Sequence, residues 1–455
     1  MQLRFIGAML IAAAVAAGGC RKAPPAARKT VITFWQPFTG DVKEAMEKLR
    51  VEFERTHPGI ELNMSYAANN LNASQKLFLA IAGGAPPDVT MVDGQQLAEW
   101  AARGALTDIT DYVNTSGLTG NDFWLPRWKE SMFAGRVYAL PWGADPNFAL
   151  LWSKKAFREA GLDPDRPPTT IQELDEYSRK LTKFDNRGRL IQLGIVPWEW
   201  LGDNSMFTWG YAFGGDFYEP PSPGSKTLIG KVTANNPKNV EALKWIASYS
   251  RNYDVRKIRA LQTSVFGMAT NNPFFVGIEA MRLFHVTELK WLHMYAPTLE
   301  YGVGVIPAPP DGEHPTGWIG GWSMAVPRGA KASAEAFEFI RWMCTSDEGT
   351  IALGKAMNQF PAYKKSPFFD TVKDDPDLKV FYEILKNSKH VRTLMPVQGY
   401  LMELLKRGVN KVLYEDADPQ QVLDEITVQT QKRLEHVLRR VELQMAADGR
   451  IGEAK

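Results

Sequence analysis

Three observations predict that the chain folds as an α/β protein of two to three lobes. Its 455 residues are more than a single hydrophobic core usually organises. Hydrophobic residues make up 45% and charged residues 23% of the chain, a balance typical of soluble globular proteins. Short β-rich runs alternate with amphipathic helical runs near the start, and this order favours parallel strands joined by right-handed crossovers.

The first hundred residues contain the clearest alternation. Residues 30–35 form a β-rich run, and 41–56 carry apolar residues at helical spacing. Residues 60–66 alternate apolar and polar side chains as a second strand, a helical run covers 74–82, and a buried strand covers 88–92. The same spacing predicts further helices at 153–161, 170–184, 239–250, 333–345, 347–357, 377–387, 399–414 and 419–445.

The N-terminus has the features of an export signal. Arg4 precedes an uncharged apolar run over 5–17, and small residues lead to Cys20. The run is shorter than the about 20 residues that a membrane-spanning helix needs. Residues 21–29 are rich in proline, alanine and basic side chains, as in an extended tether beside an anionic membrane. The ending resembles that of bacterial lipoproteins, which implies a lipid-anchored body in the periplasm or on the cell surface; a plain secretory signal is the alternative.

Several functional classes are disfavoured by composition and motifs. The formal net charge is +2, so no global field attracts nucleic acid. Two cysteines are too few for a disulfide scaffold, and six histidines show no metal-ligand spacing. Ser323 lies in a GWSMA stretch like a nucleophile elbow, but Pro327 follows where a helix is needed. We therefore expect no catalytic residue, metal, cofactor or nucleic-acid partner.

Aromatic residues offer the strongest functional signal. They make up 11% of the chain, including 14 tryptophans. Trp142, Trp198 and Trp322 fall in stretches punctuated by proline and glycine. An indole face stacks on the apolar face of a sugar ring while nearby amides and carboxylates bind its hydroxyls. A tryptophan can instead fill a lobe core, so we expect at least one of these three to contact a sugar.

A second group of candidates follows the predicted first and third strands. The group comprises Gln36, Phe38 and Thr39 after the first strand, and Asp93, Gln95 and Gln96 after the third. Ligands of open α/β sheets bind at the carboxyl ends of the strands. These side chains are therefore expected at the edge of a ligand crevice.

Stretches spread over nearly the whole mature chain resemble one family. They include VITFWQPFTGDVKEAMEKLRVEFERTHPGIEL, AGGAPPDVTMVDGQQLAEWAARGALTDIT, GRVYALPWGADPNFALLWSKKAFREAGLDPDRPPTTIQELDEYSRKLT and GGWSMAVPRGAKASAEAFEFIRWMCTSDEG. In this order they resemble the extracellular solute-binding proteins of ABC importers, in the branch that includes maltose-, trehalose- and glycerol-3-phosphate-binding proteins. The resemblance implies a monomeric, non-enzymatic protein that captures a di- or oligosaccharide and delivers it to permease subunits.

The resemblance also implies a domain organisation. Residues 1–20 would be the lipoprotein signal peptide and 21–29 the tether. Two lobes, each a mostly parallel sheet flanked by helices, would be hinged by chain crossings. The first lobe would comprise 30–142 and 323–375, and the second 143–322 and 376–455. Rotation during closure would be absorbed near Gly143 and Ala144.

Carried over by motif, the resemblance adds contacts from the crossings and the second lobe. The full set is Gln36, Phe38, Thr39, Asp93, Gln95, Gln96, Trp142, Asp145, Asn147, Trp198, Glu199, Gly320, Gly321, Trp322, Arg392 and Tyr400, with Cys20 as the lipidation site. The charged pair that maltose-binding proteins carry after the first strand is replaced by Phe38 and Thr39. Their basic contact after the third strand is replaced by Gln96. Both departures argue against maltose itself.

Three alternatives remain beside the sugar. A glycerophosphodiester or other phosphorylated ligand could be held by helix N-termini and Arg392. An exported glycoside hydrolase could use Asp145 and Glu199 as its pair of carboxylates. An adhesin or structural lipoprotein would have no ligand cleft.

Overall fold

The structure is a computed structural model that describes residues 28–67, 71–198, 204–263 and 272–447. The strands are β1 (Thr30–Gln36), β2 (Ile60–Tyr66), β3 (Val89–Asp93), β4 (Met132–Phe133), β5 (Arg136–Val137), β6 (Ala139–Pro141), β7 (Asp145–Asn147), β8 (Ala149–Ser153), β9 (Lys183–Phe184), β10 (Leu190–Gln192), β11 (Tyr218–Glu219), β12 (Lys231–Val232), β13 (Met281–Phe284), β14 (Tyr301–Gly304), β15 (Trp318–Gly320) and β16 (Trp322–Ala325). The helices are α1 (Gly40–Thr56), α2 (Leu71–Ala82), α3 (Gly94–Ala102), α4 (Thr110–Ser116), α5 (Leu125–Glu130), α6 (Lys154–Glu159), α7 (Ile171–Leu181), α8 (Ser205–Ala212), α9 (Pro237–Tyr253), α10 (Val255–Thr263), α11 (Glu288–Tyr295), α12 (Ser333–Thr345), α13 (Asp347–Met357), α14 (Phe368–Val372), α15 (Pro376–Asn387), α16 (Gln398–Glu415) and α17 (Pro419–Ala447). Among the described helices, none has an apolar stretch of the length that crossing a membrane requires.

The first lobe is built on a five-stranded sheet with the order β2-β1-β3-β16-β6. Strand β1 runs parallel to β2 and β3, whereas β16 runs antiparallel to β3 and β6. Ile32 and Phe34 are buried because side chains alternate between the two faces of a strand. Phe34, and Phe53 of α1, pack against the ring of Phe339 in α12, with ring centres 5.3 and 5.0 Å apart. These contacts fix α1 and α12 against the sheet.

The second lobe contains a three-stranded sheet with the order β13-β8-β14. Both outer strands run antiparallel to β8, so the expectation of a mostly parallel sheet in this lobe is wrong. Strand β13, helix α11 and strand β14 do follow one another as a strand–helix–strand unit, and the two strands point the same way. Strand β8, from far earlier in the chain, lies between them. The sequence analysis predicted neither these two strands nor the strand that separates them.

Strand β8 is buried on both faces and separates two apolar cores. Leu150 and Trp152 face a core that includes α7, α8, α9, α16 and α17. Ala149 and Leu151 face a core that runs from the first sheet to α11 and α15. Burying a leucine of this kind stabilises a fold by about 1.5–3 kcal/mol. A continuous apolar run such as ALLW is therefore needed here.

Two neighbouring segments carry the chain between the sheets, and we call residues 139–147 and 318–325 the crossing ribbon. Strand β6 pairs with β16, and β7 pairs with β15, so the two segments run antiparallel through the crossing. Gly321 has a φ of +127°, and a Cβ on it would lie 2.7 Å from the carbonyl oxygen of Gly143. Only glycine fits this close approach. The expected lobe boundaries, 30–142 with 323–375 and 143–322 with 376–455, stay a prediction.

Candidate ligand groove between the lobes

A groove of about 1360 Å³ lies between the first lobe and the two C-terminal helices. Side chains of α2 and α3 form one wall, and side chains from the start of α16 and from α17 form the other. The predicted contacts that line the groove are Asp93, Gln95, Gln96, Trp322 and Tyr400. Residues far apart in the sequence thus meet at one surface.

Asp93 and Gln95 line the groove, and they bond to Arg392, which is 7% exposed and is not among the lining residues; we call these three residues the polar row. Strand β3 ends at Asp93, which caps α3 by accepting a hydrogen bond from the backbone N–H of Gln95 at 3.1 Å. Arg392 donates through Nη2 to Asp93 Oδ1 at 2.7 Å and through Nη1 to Gln95 Oε1 at 3.2 Å. Its guanidinium also lies 5.1 Å from the ring centre of Trp318. The polar row therefore combines acceptors and donors in one connected set.

Trp322 brings a partly exposed indole to the same groove. Its ring contacts Phe38 edge-on, with ring centres 5.9 Å apart. Phe38 also contacts Trp142 at 6.0 Å and is only 7% exposed. Phe38 therefore supports Trp322 from the core, and it is not among the residues that line the groove.

Trp142, which we expected to be available for stacking on a sugar, lies in the core of the first lobe. It is 1% exposed, and its Nε1 donates to the carbonyl oxygen of Gly349 at 3.2 Å. No ring face is left for a ligand in this arrangement. Trp198 is half-buried and packs on the second lobe beside a small cluster that includes Leu193 and Ile258. It does not line the groove either, so only Trp322 of the three tryptophans does.

Four other predicted contacts belong to the crossing ribbon rather than to the groove wall. Asp145 and Asn147 are 3% exposed, and Asn147 Nδ2 donates to the carbonyl oxygen of Asp145 at 3.1 Å. A Cβ on Gly320 would lie 2.9 Å from that Nδ2. The carbonyl oxygen of Gly321 accepts from the backbone N–H of Gly94 at 3.2 Å. The two glycines are therefore explained by close packing of the ribbon.

The remaining predicted residues lie elsewhere. Gln36 is buried, and its Oε1 accepts from the backbone N–H of Phe38 at 2.6 Å. Thr39 is exposed just before α1 and makes no side-chain capping bond. Glu199 and Cys20 lie outside the described residues.

Asp145 of the crossing ribbon is a buried carboxyl group with an incomplete set of hydrogen bonds. Gln359 Nε2 donates to its Oδ2 at 2.9 Å, and its Oδ1 has no hydrogen-bond partner among the described residues. Burial raises the pKa of Asp145 to about 7, although the positive charge of Arg127 opposes this rise. His285 Nε2 lies 4.0 Å away, and burial lowers the pKa of His285 to about 4. The histidine is therefore neutral near pH 7.

Arg127 of α5 is a central residue that the sequence analysis missed. It is 0% exposed and forms an ion pair with Glu130. Its Nε donates to the carbonyl oxygen of Gly143 at 2.9 Å, and its Nη2 donates to the carbonyl oxygen of Gly321 and to Ser323 Oγ, both at 2.9 Å. One side chain thus ties both segments of the crossing ribbon to the first lobe. In the sequence, an arginine three residues before a glutamate, on a helix that begins directly after a tryptophan, could have identified this residue.

The far wall of the groove was also missed. Its charged residues are Glu403, Arg407, Arg433 and Arg440. Helix α17 was predicted from its apolar stripe, which is the buried face that includes Leu434 and Leu438. The arginines at a seven-residue spacing on another side of the same helix are the signal that could have identified this wall.

Two α/β lobes that are joined by paired crossings and enclose a groove define a two-lobed binding protein. The family model for the bacterial extracellular solute-binding protein matches residues 36–350. The chain belongs to this family, which confirms the family predicted from the sequence. The name of the family places its members outside the cytoplasm.

The relatives found by sequence are also binding proteins. The sn-glycerol-3-phosphate-binding periplasmic protein UgpB of Shigella flexneri is 24% identical over 311 residues, 66% of each chain. UgpB of Escherichia coli (strain K12) is 23% identical over the same length. The matched part is thus just under two thirds of these relatives' own length.

Solved structures confirm the two-lobed fold. CpMnBP1 with mannobiose bound has a TM-score of 0.74 and 25% identity, and the match covers 89% of this chain and 100% of that one. UgpB from Mycobacterium tuberculosis in complex with glycerophosphocholine has a TM-score of 0.68 and 21% identity, and that match covers 90% of this chain and 99% of the other.

Proposed function

We propose that the protein is the solute-binding component of an ABC importer and captures a di- or oligosaccharide between its lobes. Family membership supports the binding role. CpMnBP1, which is similar along nearly the whole of both chains, holds mannobiose. The captured sugar would be handed unchanged to the permease subunits. Lipidation of Cys20 would keep the monomeric protein at the membrane surface, with residues 21–29 as its tether.

The observation that carries the sugar assignment is the polar row beside Trp322. A sugar hydroxyl both donates and accepts, so it can bind to the carboxylate of Asp93, the amide of Gln95 and the guanidinium of Arg392. The apolar face of the same sugar can stack on the indole of Trp322. Arg392 lies between α15 and α16, in a stretch predicted to belong to the second lobe, whereas Asp93 ends β3 of the first lobe. A ligand bound to both would therefore hold the lobes closed.

A phosphorylated ligand is the second candidate, because UgpB relatives are named for glycerol-3-phosphate. A phosphate would require a free positive charge at the polar row. Arg392 is instead paired with Asp93 at 2.7 Å, so a phosphate would have to displace that carboxylate or lie next to it. Like charges in contact are unfavourable. The polar row therefore favours neutral hydroxyls.

Closure would involve the crossing ribbon. Arg127 bonds to Gly143 and Gly321, so these residues would move with the first lobe. The rotation would then be absorbed beyond Gly143, in the residues that lead into β7 and out of β15, close to the predicted hinge. The release of an unchanged sugar requires no catalytic group, and the hydrolase hypothesis has no support from the relatives, which are binding proteins.

Thermal unfolding with a panel of ligands tests the proposal. The panel contains mannobiose, mannotriose, trehalose, maltose, sn-glycerol-3-phosphate and glycerophosphocholine. A saccharide present at about 100 times its Kd should stabilise the folded protein by about 2.7 kcal/mol. Stabilisation by the phosphorylated compounds alone, with an affinity that falls at high salt, would show that the second candidate is correct.

A variant of the polar row distinguishes a sugar ligand from a phosphorylated one. Asp93→Asn removes the carboxylate but keeps its shape, and it leaves Arg392 without its ion pair. If sugars are the ligands, the variant should bind them more weakly and should bind glycerophosphocholine more tightly than the native protein does. Unchanged binding of every compound would place the ligand away from the polar row.

A further inference from the structure

The part of the groove away from the polar row carries positive charge in addition to that of Arg392. Arg103 Nη1 donates to Glu99 Oε1 at 3.1 Å, and Arg407 Nε donates to Glu403 Oε1 at 2.9 Å. Each pair joins residues four apart in the sequence, and the two charges of each pair cancel. The remaining charges that line this part of the groove are Arg433 and Arg440 of α17, and we call these two residues the basic wall.

The basic wall has no compensating charge within the described part of the chain. Neither arginine forms an ion pair or a side-chain hydrogen bond there, and both are exposed. The nearby glutamates of α17 are engaged elsewhere. Glu442 accepts from Thr227 Oγ1 and from the backbone N–H of Leu228, both at 2.7 Å, while Glu435 pairs with Arg439 at 3.5 Å. The groove thus keeps two uncompensated positive charges.

The spacing of the basic wall suits an extended ligand. Arg433 and Arg440 are seven residues apart, which is about two turns or 10 Å along a helix. The groove volume of about 1360 Å³ exceeds the 300–1,000 Å³ of ordinary small-molecule sites. A chain of sugar rings that begins at Trp322 has room to continue towards α17.

We propose that the groove binds an oligosaccharide with anionic substituents, either carboxylates or sulfates, that reach Arg433 and Arg440. This inference rests on the proposed sugar-binding function and specifies its substrate class. Guanidinium groups bind carboxylates and related oxyanions through paired, charge-assisted hydrogen bonds. The polar row holds the hydroxyls of the inner ring, and the basic wall selects for charge on the outer rings.

Matched sets of sugars test the proposal by titration calorimetry. Each set contains a neutral trisaccharide of mannose, glucose, galactose or xylose units, its uronate counterpart and its sulfated counterpart. In at least one set we expect an anionic member to bind about tenfold more tightly than the neutral parent at low salt, and the gap should shrink near 0.5 M salt because screening is then strong. The uronate and sulfate members show which anion is preferred.

Two double variants assign the effect to the basic wall. Arg433→Gln/Arg440→Gln should abolish the preference, so that the anionic sugar binds no more tightly than its neutral parent. Lys432→Gln/Arg439→Gln removes the same charge at the same spacing from exposed residues of α17 that do not line the groove, and it should keep the preference.

Failure of the inference can be distinguished from failure of the proposed function. If neutral parents bind as tightly as their anionic partners, or if the two double variants behave alike, the inference is overturned while the sugar-binding function stands. If no saccharide of any set binds, the proposed function fails and the inference fails with it.

Discussion

Arginine has different partners in the crossing ribbon and in the groove. Arg127 is 0% exposed and donates to the backbone carbonyl oxygens of Gly143 and Gly321. Arg392 is 7% exposed and bonds to the side chains of Asp93 and Gln95. Backbone acceptors cannot leave without moving the ribbon, whereas side chains can turn towards a ligand. Arg127 therefore stabilises the frame, and Arg392 is suited to recognition.

The largest expected effect comes from breaking the buried pair of the crossing ribbon. Arg127→Met leaves Glu130 buried without its partner and should lower the free energy of unfolding by about 3–5 kcal/mol. Urea unfolding followed by circular dichroism measures the loss. The double variant Arg127→Met/Glu130→Leu should recover part of it, because no buried charge is then left unpaired.

A surface pair provides the control for that experiment. Arg55 and Glu52 of α1 form an exposed ion pair of the same i, i+3 spacing, so Arg55→Met should change the free energy of unfolding far less than Arg127→Met does, because water screens the pair. Equal losses for Arg127→Met and Arg55→Met would show that Arg127 does not hold the ribbon.

Trp142→Ala should be destabilising for a different reason. The indole is 1% exposed and packs against Phe38, so its removal leaves a cavity that costs about 3–5 kcal/mol. The folded fraction should bind sugar with little change in Kd, because the ring faces no ligand. Thermal unfolding and calorimetry of the same sample separate the two effects. A stable variant with weak binding would restore Trp142 as a direct sugar contact.

Local patterns in the sequence predicted much of the fold. The apolar stripe of residues 41–56 and the alternation of 60–66 correspond to α1 and β2, because each pattern reflects the burial of one face. The antiparallel pairing of β8 with β13 was not predictable in this way. Its partner lies more than 120 residues away, and pairing over that distance depends on the packing of the whole lobe.

The candidate site was likewise predicted only in part from the sequence. Asp93, Gln95 and Trp322 line the groove, and the first two follow a strand whose end was visible in the sequence. Trp142 and Trp322 occur in similar Pro/Gly-rich stretches, but one is in the core and the other lines the groove. Composition around a tryptophan does not indicate which way the indole points. That direction is set by the crossing ribbon, and hence by contacts such as those of Arg127.

The raised pKa of Asp145 predicts that the stability of the protein depends on pH. Its pKa of about 7 in the folded protein lies above the ordinary 3.8, so the folded state binds more protons than the unfolded state between these values. Stability from this group is therefore fully present below about pH 4 and is lost as the pH rises to about 7. Asp145→Asn imitates the neutral acid, so it should stabilise the protein more at pH 8 than at lower pH.

The measurement is the difference in unfolding free energy between the Asp145→Asn variant and the native protein. This difference should shrink by about 2.5 kcal/mol between pH 8 and pH 5. His285 stays neutral over this range because burial lowers its pKa to about 4, and other groups titrate in both proteins alike. A difference that does not vary with pH would mean that Asp145 is ionised throughout.

The smallest expected effect is confined to the groove. Trp322→Ala removes the partly exposed indole beside the polar row and should weaken sugar binding by about 1–3 kcal/mol, with a smaller loss of stability than Trp142→Ala causes. Trp291→Ala is the matched control, because Trp291 is 42% exposed on α11 and does not line the groove. Calorimetry with whichever saccharide stabilises the native protein gives both affinities. Equal affinities for the two variants would mean that the sugar does not stack on Trp322, and the inner ring would then be held by the polar row alone.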